Sequence, residues 1–272
     1  MSGTAMPRRR LTVLAATLGL SALALTACSG GSTAADPDAG SDLGLISGGT
    51  LTVATEGTYR PFSYHEGAGE LTGFDVEIAK AVADKLGLQV KFQETQWDAI
   101  FAGLDAGRFD VIANQVSINP ERQEKYTFSS PYTVSRGVIV TNDSDNAISS
   151  FADLSGKTTA QSLTSNWYEL ATSSGAQVEA VEGWAQAVAL LKQGRVDATV
   201  NDQLTYLDYE KTNSPTGLKI AATTEDSSES AFAFKKGQDK LAEAVDGALE
   251  ELRADGTLAS ISDKYFGDDV TK

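Results

Sequence analysis

One cysteine and one histidine occur among the 272 residues. These counts exclude a disulfide framework and a His/Cys metal cluster, and they leave a Cys-His nucleophile only if Cys28 and His65 meet. His65 lies in the turn-like YHEGAGE and fits a solvated loop. Basic residues are the scarcer sign, with 22 Lys and Arg against 37 Asp and Glu and a formal net charge of −15. That balance argues against nucleic acid as a partner, which wants a basic face, and suggests good solubility. A bilayer-spanning apolar run is also missing, since Leu11 to Leu25 offers about 15 apolar and small residues against the roughly 20 required. What remains, 41% hydrophobic and 22% charged, is globular material for one large or two medium domains.

Residues 1–27 form a secretory leader: Arg8, Arg9 and Arg10 give a positive start, the Leu11 to Leu25 stretch follows, and L-T-A-C closes it. The last four residues resemble the bacterial lipobox, which implies that Cys28 is the lipidated first residue of the mature chain. Losing three arginines with the leader takes the formal charge from −15 to −18. Residues 28–47, rich in Gly, Ser, Ala and Asp, read as a flexible tether. A tethered domain outside the cytoplasm is the expectation.

The folded part is organised around residues 97 to 122, WDAIFAGLDAGRFDVIANQVSINPER. Trp97, Ile100, Phe101 and Leu104 fall at helical spacing, Gly107 closes the helix, and Phe109, Val111, Ile112 and Ala113 suit a buried strand. Beyond that strand come Asn114, Gln115 and Ser117, three uncharged hydrogen-bonding side chains, then an Asn-Pro turn and Arg122. α/β sheets hold ligands at the carboxyl ends of their strands, which places a pocket here. The pattern returns in WAQAVALLKQGRVDATVNDQ, residues 184 to 203. Trp184, Leu191, Gly194, Arg195, Asp197 and Asn201 repeat Trp97, Leu104, Gly107, Arg108, Asp110 and Asn114 at one offset of 87 residues. Two similar units facing each other would make a cleft.

Thr50 to Ala54 alternates as a strand, Phe74, Ile78, Val82 and Leu86 share one helical face, and Leu88 to Phe92 is the next strand. Alternating strands and helices predict right-handed parallel crossovers. After a strand at 137–141, strands at 157–161, 177–181 and 196–200 with helices over WYELAT and 185–192 form a second set. Strands at 218–222 and 230–234 precede helices 241–254 and 258–265. Those last helices have no strands of their own and do best packed back on the first lobe. The expected fold is α/β with two lobes, mostly parallel sheets and two hinge crossings near 138–140 and 231–234. Lobe 1 would comprise 48–138 and 233–272, and lobe 2 would comprise 139–232.

Taken singly, the pocket residues fit ordinary roles. Trp97 suits a core position, Arg122 in PERQEK a solvated helix charge, and Glu56 beside Gly57 a cap. Taken together, GTYRPFSY, LTGFDVEIAKAVADKLG, the 97–122 stretch, YTFSSPY and DGTLASISDKYFG resemble the extracytoplasmic solute-binding proteins of amino-acid ABC importers, family 3, over about residues 48 to 270. The resemblance implies a periplasmic-binding-protein-like fold of type II. EGTYRPFSY, the NQVSI run and YFGDDVTK look most like cystine-binding members. A free amino acid in a dry cleft needs both of its charges satisfied. The resemblance assigns Arg122 to the ligand carboxylate, helped by N–H groups of the helix starting after Thr164 and Ser165, and Asp202 to the ammonium. Tyr59 and Trp97 match the aromatic pair that sandwiches the ligand side chain, with Trp97 where others carry Phe. Glu56 stands where binders of cationic amino acids use an Asp, which suits a distal cation of cystine, Lys, Arg or ornithine. Asn114, Gln115 and Ser117 would add neutral hydrogen bonds.

The expectation is therefore a monomer anchored by lipid to the outer face of the cell membrane, with no cofactor, metal or nucleic acid. It would close on an amino acid, cystine favoured, and deliver it to a membrane permease. An enzyme on the same fold is the competing class. A lytic enzyme would need a domain after YFGDDVTK, and a dehydratase would need an acid/base pair beyond these carboxylates. A sensor module read by a separate receptor is a third class.

Overall fold

The computed structural model describes residues 42–272, so the leader, Cys28 and most of the expected tether lie outside the described residues. The first half runs β1 (Thr50–Thr55), β2 (Thr58–Tyr59), β3 (Ser63–His65), β4 (Leu71–Thr72), α1 (Phe74–Lys85), β5 (Gln89–Glu94), α2 (Trp97–Asp105), β6 (Val111–Ser117), α3 (Pro120–Lys125) and β7 (Tyr126–Phe128). The long strand β8 (Thr133–Asn142) leads into β9 (Thr158–Gln161), α4 (Asn166–Ser173), β10 (Gln177–Ala180), α5 (Trp184–Lys192), β11 (Thr199–Asp202) and α6 (Gln203–Asn213). A second long strand, β12 (Leu218–Lys235), returns to α7 (Asp239–Ala254) and α8 (Thr257–Phe266). All of these elements lie in one compact unit, Ala35–Lys272.

The parallel crossovers form where the alternation of strands and helices predicts them. β1 pairs in parallel with β5 and β6, and β9 pairs in parallel with β10. The two long strands add antiparallel pairings: β12 runs against β8, β6 and β7, and β11 runs against β8. The crossings lie on these two strands, but each comes earlier in the chain than the expected 138–140 and 231–234, which pack inside the second and first lobes respectively. Val138 packs in the core of the second lobe with Val140, Ala160 and Leu191, whereas Tyr132 and Phe232 pack in the first with Val53, Phe74 and Phe234. α7 and α8 do pack back on the first lobe, where Leu241, Val245, Leu249, Leu252 and Leu258 meet Leu51, Val53 and Ile78. The other face of β1 and β6 is covered by α2 through Trp97, Ile100 and Leu104.

The repeat has a geometric basis. α2 and α5 each end on a left-handed glycine, Gly107 (φ 67) and Gly194 (φ 66). In each, the glycine and the following arginine donate back into the helix, to Leu104 and Gly103 in one case and to Leu191 and Leu190 in the other. Asp110 then pairs both ways with Thr52 of β1: its N–H donates to the Thr52 carbonyl (2.9 Å) and its carboxylate accepts the Thr52 N–H (2.7 Å). Asp197 pairs with Thr158 of β9 in the same way, at 2.8 Å for both bonds. The carboxylate closes the gap where the crossing strand begins.

Several sequence expectations change. The strands expected at 218–222 and 230–234 are one continuous strand, because the charged middle of β12 is the part that passes between lobes. The helix α6 and the small β2-β3-β4 sheet were not expected at all. The strand expected at 196–200 starts later, at Thr199. The tether also stops sooner than residue 47: Leu43 and Leu45 pack on the first core, and the Ile46 N–H donates to Asp110 at 2.8 Å. Among the described residues no helix is long and apolar enough to cross a membrane. His65 is solvent-exposed, as expected, with its ring nitrogens on the Gly69 carbonyl and Glu94.

Candidate functional site

The carboxyl ends of β1, β6, β9 and β11 converge on a cavity of about 270 Å³ between the lobes. From the first lobe, Glu56, Tyr59, Trp97, Asn114 and Gln115 line it, and from the second, Gln161, Ser165, Trp184 and Asn201 are among its walls. Six of the ten expected binding residues thus line the cavity: Glu56, Tyr59, Trp97, Asn114 and Gln115 from the first lobe and Ser165 from the second. Ser117, Arg122, Thr164 and Asp202 sit behind this lining. The sequence reading missed Gln161, Glu182 and Trp184 as lining residues. The 87-residue offset that pairs Trp184 with Trp97 was the signal available for the last of them.

Asn114 is fully buried and ties β1 to β6. Its Oδ1 accepts the Glu56 N–H (2.8 Å) and the Thr55 hydroxyl (3.0 Å), and its Nδ2 donates to Glu56 Oε2 (2.7 Å). Burial pushes the Glu56 carboxyl up to about 7, with Asp98 and Glu182 adding to the rise against the opposing Asn114 bond. Asp202 caps α6, its Oδ1 accepting both the Leu204 N–H (2.8 Å) and the Ser135 hydroxyl (2.7 Å). Burial raises it to about 6. Neither carboxylate has a Lys or Arg partner among the described residues.

Arg122 is the complementary charge. The Asn-Pro turn starts α3, where the Asn119 side chain accepts the Arg122 N–H (2.8 Å) and fixes the direction of the arginine. Its guanidinium lies 5.3 Å from the ring centroids of both Trp97 and Phe101, donating to the Ser117 carbonyl (3.0 Å) and the Thr164 carbonyl (3.2 Å). It is buried without a carboxylate partner among the described residues, and burial lowers it to about 10. Ser165 caps α4 by accepting the Tyr168 N–H (3.1 Å).

Bonds cross the cleft at several points. The Tyr59 hydroxyl donates to Asn201 Oδ1 (3.1 Å) and accepts from the Thr205 hydroxyl (3.2 Å). Arg60 pairs with Asp208 at 2.9 Å. The Arg122 bond to Thr164 crosses as well, so the lobes are held together around the cavity.

Two α/β lobes joined by a pair of long strands and closed over a cavity of aromatic and uncharged polar side chains, with buried charges at and behind its lining, define a cleft-binding protein. The chain belongs to the bacterial extracellular solute-binding proteins, family 3, whose model matches residues 51–268. It is 56% identical over 223 residues to a probable amino-acid ABC transporter-binding protein of Haemophilus influenzae, covering 82% of this chain and 87% of that one. It is 49% identical over 265 residues to the L-cystine-binding protein TcyA of Bacillus subtilis, covering 96% and 98%. Among solved structures it resembles the unliganded, open L-cystine solute receptor of Neisseria gonorrhoeae (49% identity, TM-score 0.57, covering 82% and 95%). It also resembles an ancestral arginine-binding protein bound to glutamine (37% identity, TM-score 0.77, covering 81% and 99%). The better fit goes to the liganded structure although the open one shares more sequence. Together with the bonds across the cleft, this describes a closed arrangement of the lobes.

Proposed function

We propose that this chain captures L-cystine between its lobes and hands it to the membrane permease of an ABC importer, acting as a binding protein rather than an enzyme. The observation that carries the proposal is a set of buried, unpaired charges at one cavity: the Glu56 carboxylate lines it, and the Arg122 cation and the Asp202 carboxylate sit behind its lining. Buried charges demand partners, and a ligand with one carboxylate and two ammonium groups supplies them. The N-termini of α4 and α5 reach the cavity wall, and α5 has no side-chain cap, so its N–H groups suit the second carboxylate of cystine. The names of the Bacillus and Neisseria relatives support the same ligand. Attachment through a lipid on Cys28, a monomeric state and a hinge between residues 132 and 138 on β8 and 223 and 230 on β12 belong to the same proposal.

Thermal unfolding with cystine, Lys, Arg, ornithine and neutral amino acids tests it. At 100 times its dissociation constant a ligand adds about 2.7 kcal/mol of stability. A shift with cystine alone is expected. A shift only with Lys, Arg or ornithine would reassign Glu56 to a basic side chain, and no shift with any would remove the amino-acid reading.

A further inference from the structure

β6 is flanked by ladders only as far as Ile112, which pairs with Ala54 of β1 and Ala233 of β12. The ladder to β12 resumes at Val116 with a shift of register. Ala113, Asn114 and Gln115 have no register partner on either side, yet all three are buried. Their polar groups need other partners. Gln115 is also the one non-glycine residue with a left-handed backbone among the described residues, at φ 50, a conformation disfavoured once a Cβ is present.

Asp75, in the first turn of α1, is what meets it. Its Oδ2 accepts the Gln115 N–H at 2.8 Å and its Oδ1 accepts Gln115 Nε2 at 2.6 Å. The same Nε2 reaches Thr133 Oγ1 at 3.1 Å. Backbone and side chain of one residue are thereby fixed together. Asp75 is completely buried, has no ion pair among the described residues and does not line the cavity, whereas Gln115 does. Burial raises the Asp75 carboxyl to about 7. A carboxylate in such a place is costly, and the N-terminus of α1 offsets only part of the cost. The bonds to Gln115 account for its presence.

We propose that Asp75 is a positioning residue of the cleft, setting ligand affinity by holding Gln115 in its left-handed conformation so that the carboxyl end of β6 is preformed before a ligand arrives. This rests on the reading of the cleft as an amino-acid site. The test is a cycle of residues 29–272, which omit the Cys28 thiol that would exchange with cystine, as the unaltered sequence, Asp75→Ala, Gln115→Gly and the double variant, each titrated calorimetrically with L-cystine. Asp75→Ala should weaken binding roughly 10- to 100-fold. In the Gln115→Gly background the same change should cost less than about threefold, because glycine takes the left-handed conformation without being held. A purely structural Asp75 would lower the melting temperature and leave affinity alone, or weaken binding equally in both backgrounds, and either result overturns the proposal. Should Asp75→Ala fail to fold, the ligand-free unaltered chain still decides by NMR. The Gln115 amide proton should be far downfield and protected from exchange, and exchange at the rate of an open loop refutes the proposal. That measurement stands even if cystine does not bind, which would refute the ligand alone.

Discussion

Asp98 and Thr164 stand on opposite lobes and are joined twice: Asp98 Oδ1 accepts the Thr164 N–H at 3.1 Å and the Thr164 hydroxyl at 2.7 Å. Neither residue lines the cavity. The pair contributes only when the lobes are together, so it biases the closed form whatever the ligand contacts. Asp98→Ala should speed ligand dissociation about 3- to 10-fold, as lost hydrogen bonds of this kind do. Asp98 also raises the Glu56 carboxyl, so its removal favours a charged Glu56, and the dissociation rate is a cleaner readout than the equilibrium constant. Stopped-flow displacement measures it, and an unchanged rate would show that closure does not depend on this pair.

The cleft carboxyls make both stability and binding depend on pH, with opposite signs. Glu56 and Asp75 rise to about 7 and Asp202 to about 6, all mainly through burial. An acid whose pKa is higher folded than unfolded keeps its proton longer in the fold. The stability it contributes is full below the unfolded value and is lost as pH rises through the folded one. The ligand-free chain should therefore lose stability from these groups between about pH 4 and 7. A ligand ammonium favours charged Glu56 and Asp202, so affinity should rise over about pH 5 to 8, by at most about tenfold per unit for each coupled proton. Melting curves with and without cystine across that range check both signs. Calorimetry in two buffers of different ionisation enthalpy should show proton release on binding.

Arg122 separates binding from stability. Arg122→Met keeps the stem against Trp97 and Phe101 and removes a buried charge that has no carboxylate partner among the described residues. Removing a buried, unpaired charge relieves its desolvation cost, which offsets the hydrogen bonds lost to the Ser117 and Thr164 carbonyls. The ligand carboxylate, by contrast, loses its partner, at about 2 to 5 kcal/mol of affinity. An unchanged or higher melting temperature with binding lost is the expected pair of results. Cystine affinity near that of the unaltered chain would take the carboxylate away from Arg122.

How much of this was legible depended on whether a residue's neighbours were near in sequence. The α2 and β6 signals were local, since Ile100 and Leu104 follow the helical period and Val111 to Ala113 form a buried run, so the stretch could be read directly. The middle of β12 could not: Glu225 to Glu229 passes between lobes, and its polar, largely exposed pattern resembles a loop. α6 places Leu204, Tyr206, Leu207 and Tyr209 around the helix rather than along one stripe, so its periodicity is weak. Asp75 is one of two acids in the first turn of α1, and nothing local in the sequence singles it out. Its partner is 40 residues away, and only the fold brings the left-handed Gln115 to it.

Asp202 shows what the structure adds to a residue already picked out from sequence. Read as a ligand anchor alone, it predicts that Asp202→Ala abolishes binding and leaves the fold intact. Its Oδ1 also caps α6 through the Leu204 N–H and accepts the Ser135 hydroxyl from β8, so truncation removes a cap worth about 0.5 to 2 kcal/mol and leaves both donors unmet. Asp202→Asn keeps an oxygen for the cap and removes the charge that an ammonium needs. Asp202→Ala should then lose both affinity and melting temperature, while Asp202→Asn should lose affinity alone. If Asp202→Asn bound cystine as the unaltered chain does, the ammonium would have to be held elsewhere, and Glu56, the buried carboxylate of the cavity lining, would be the first place to look.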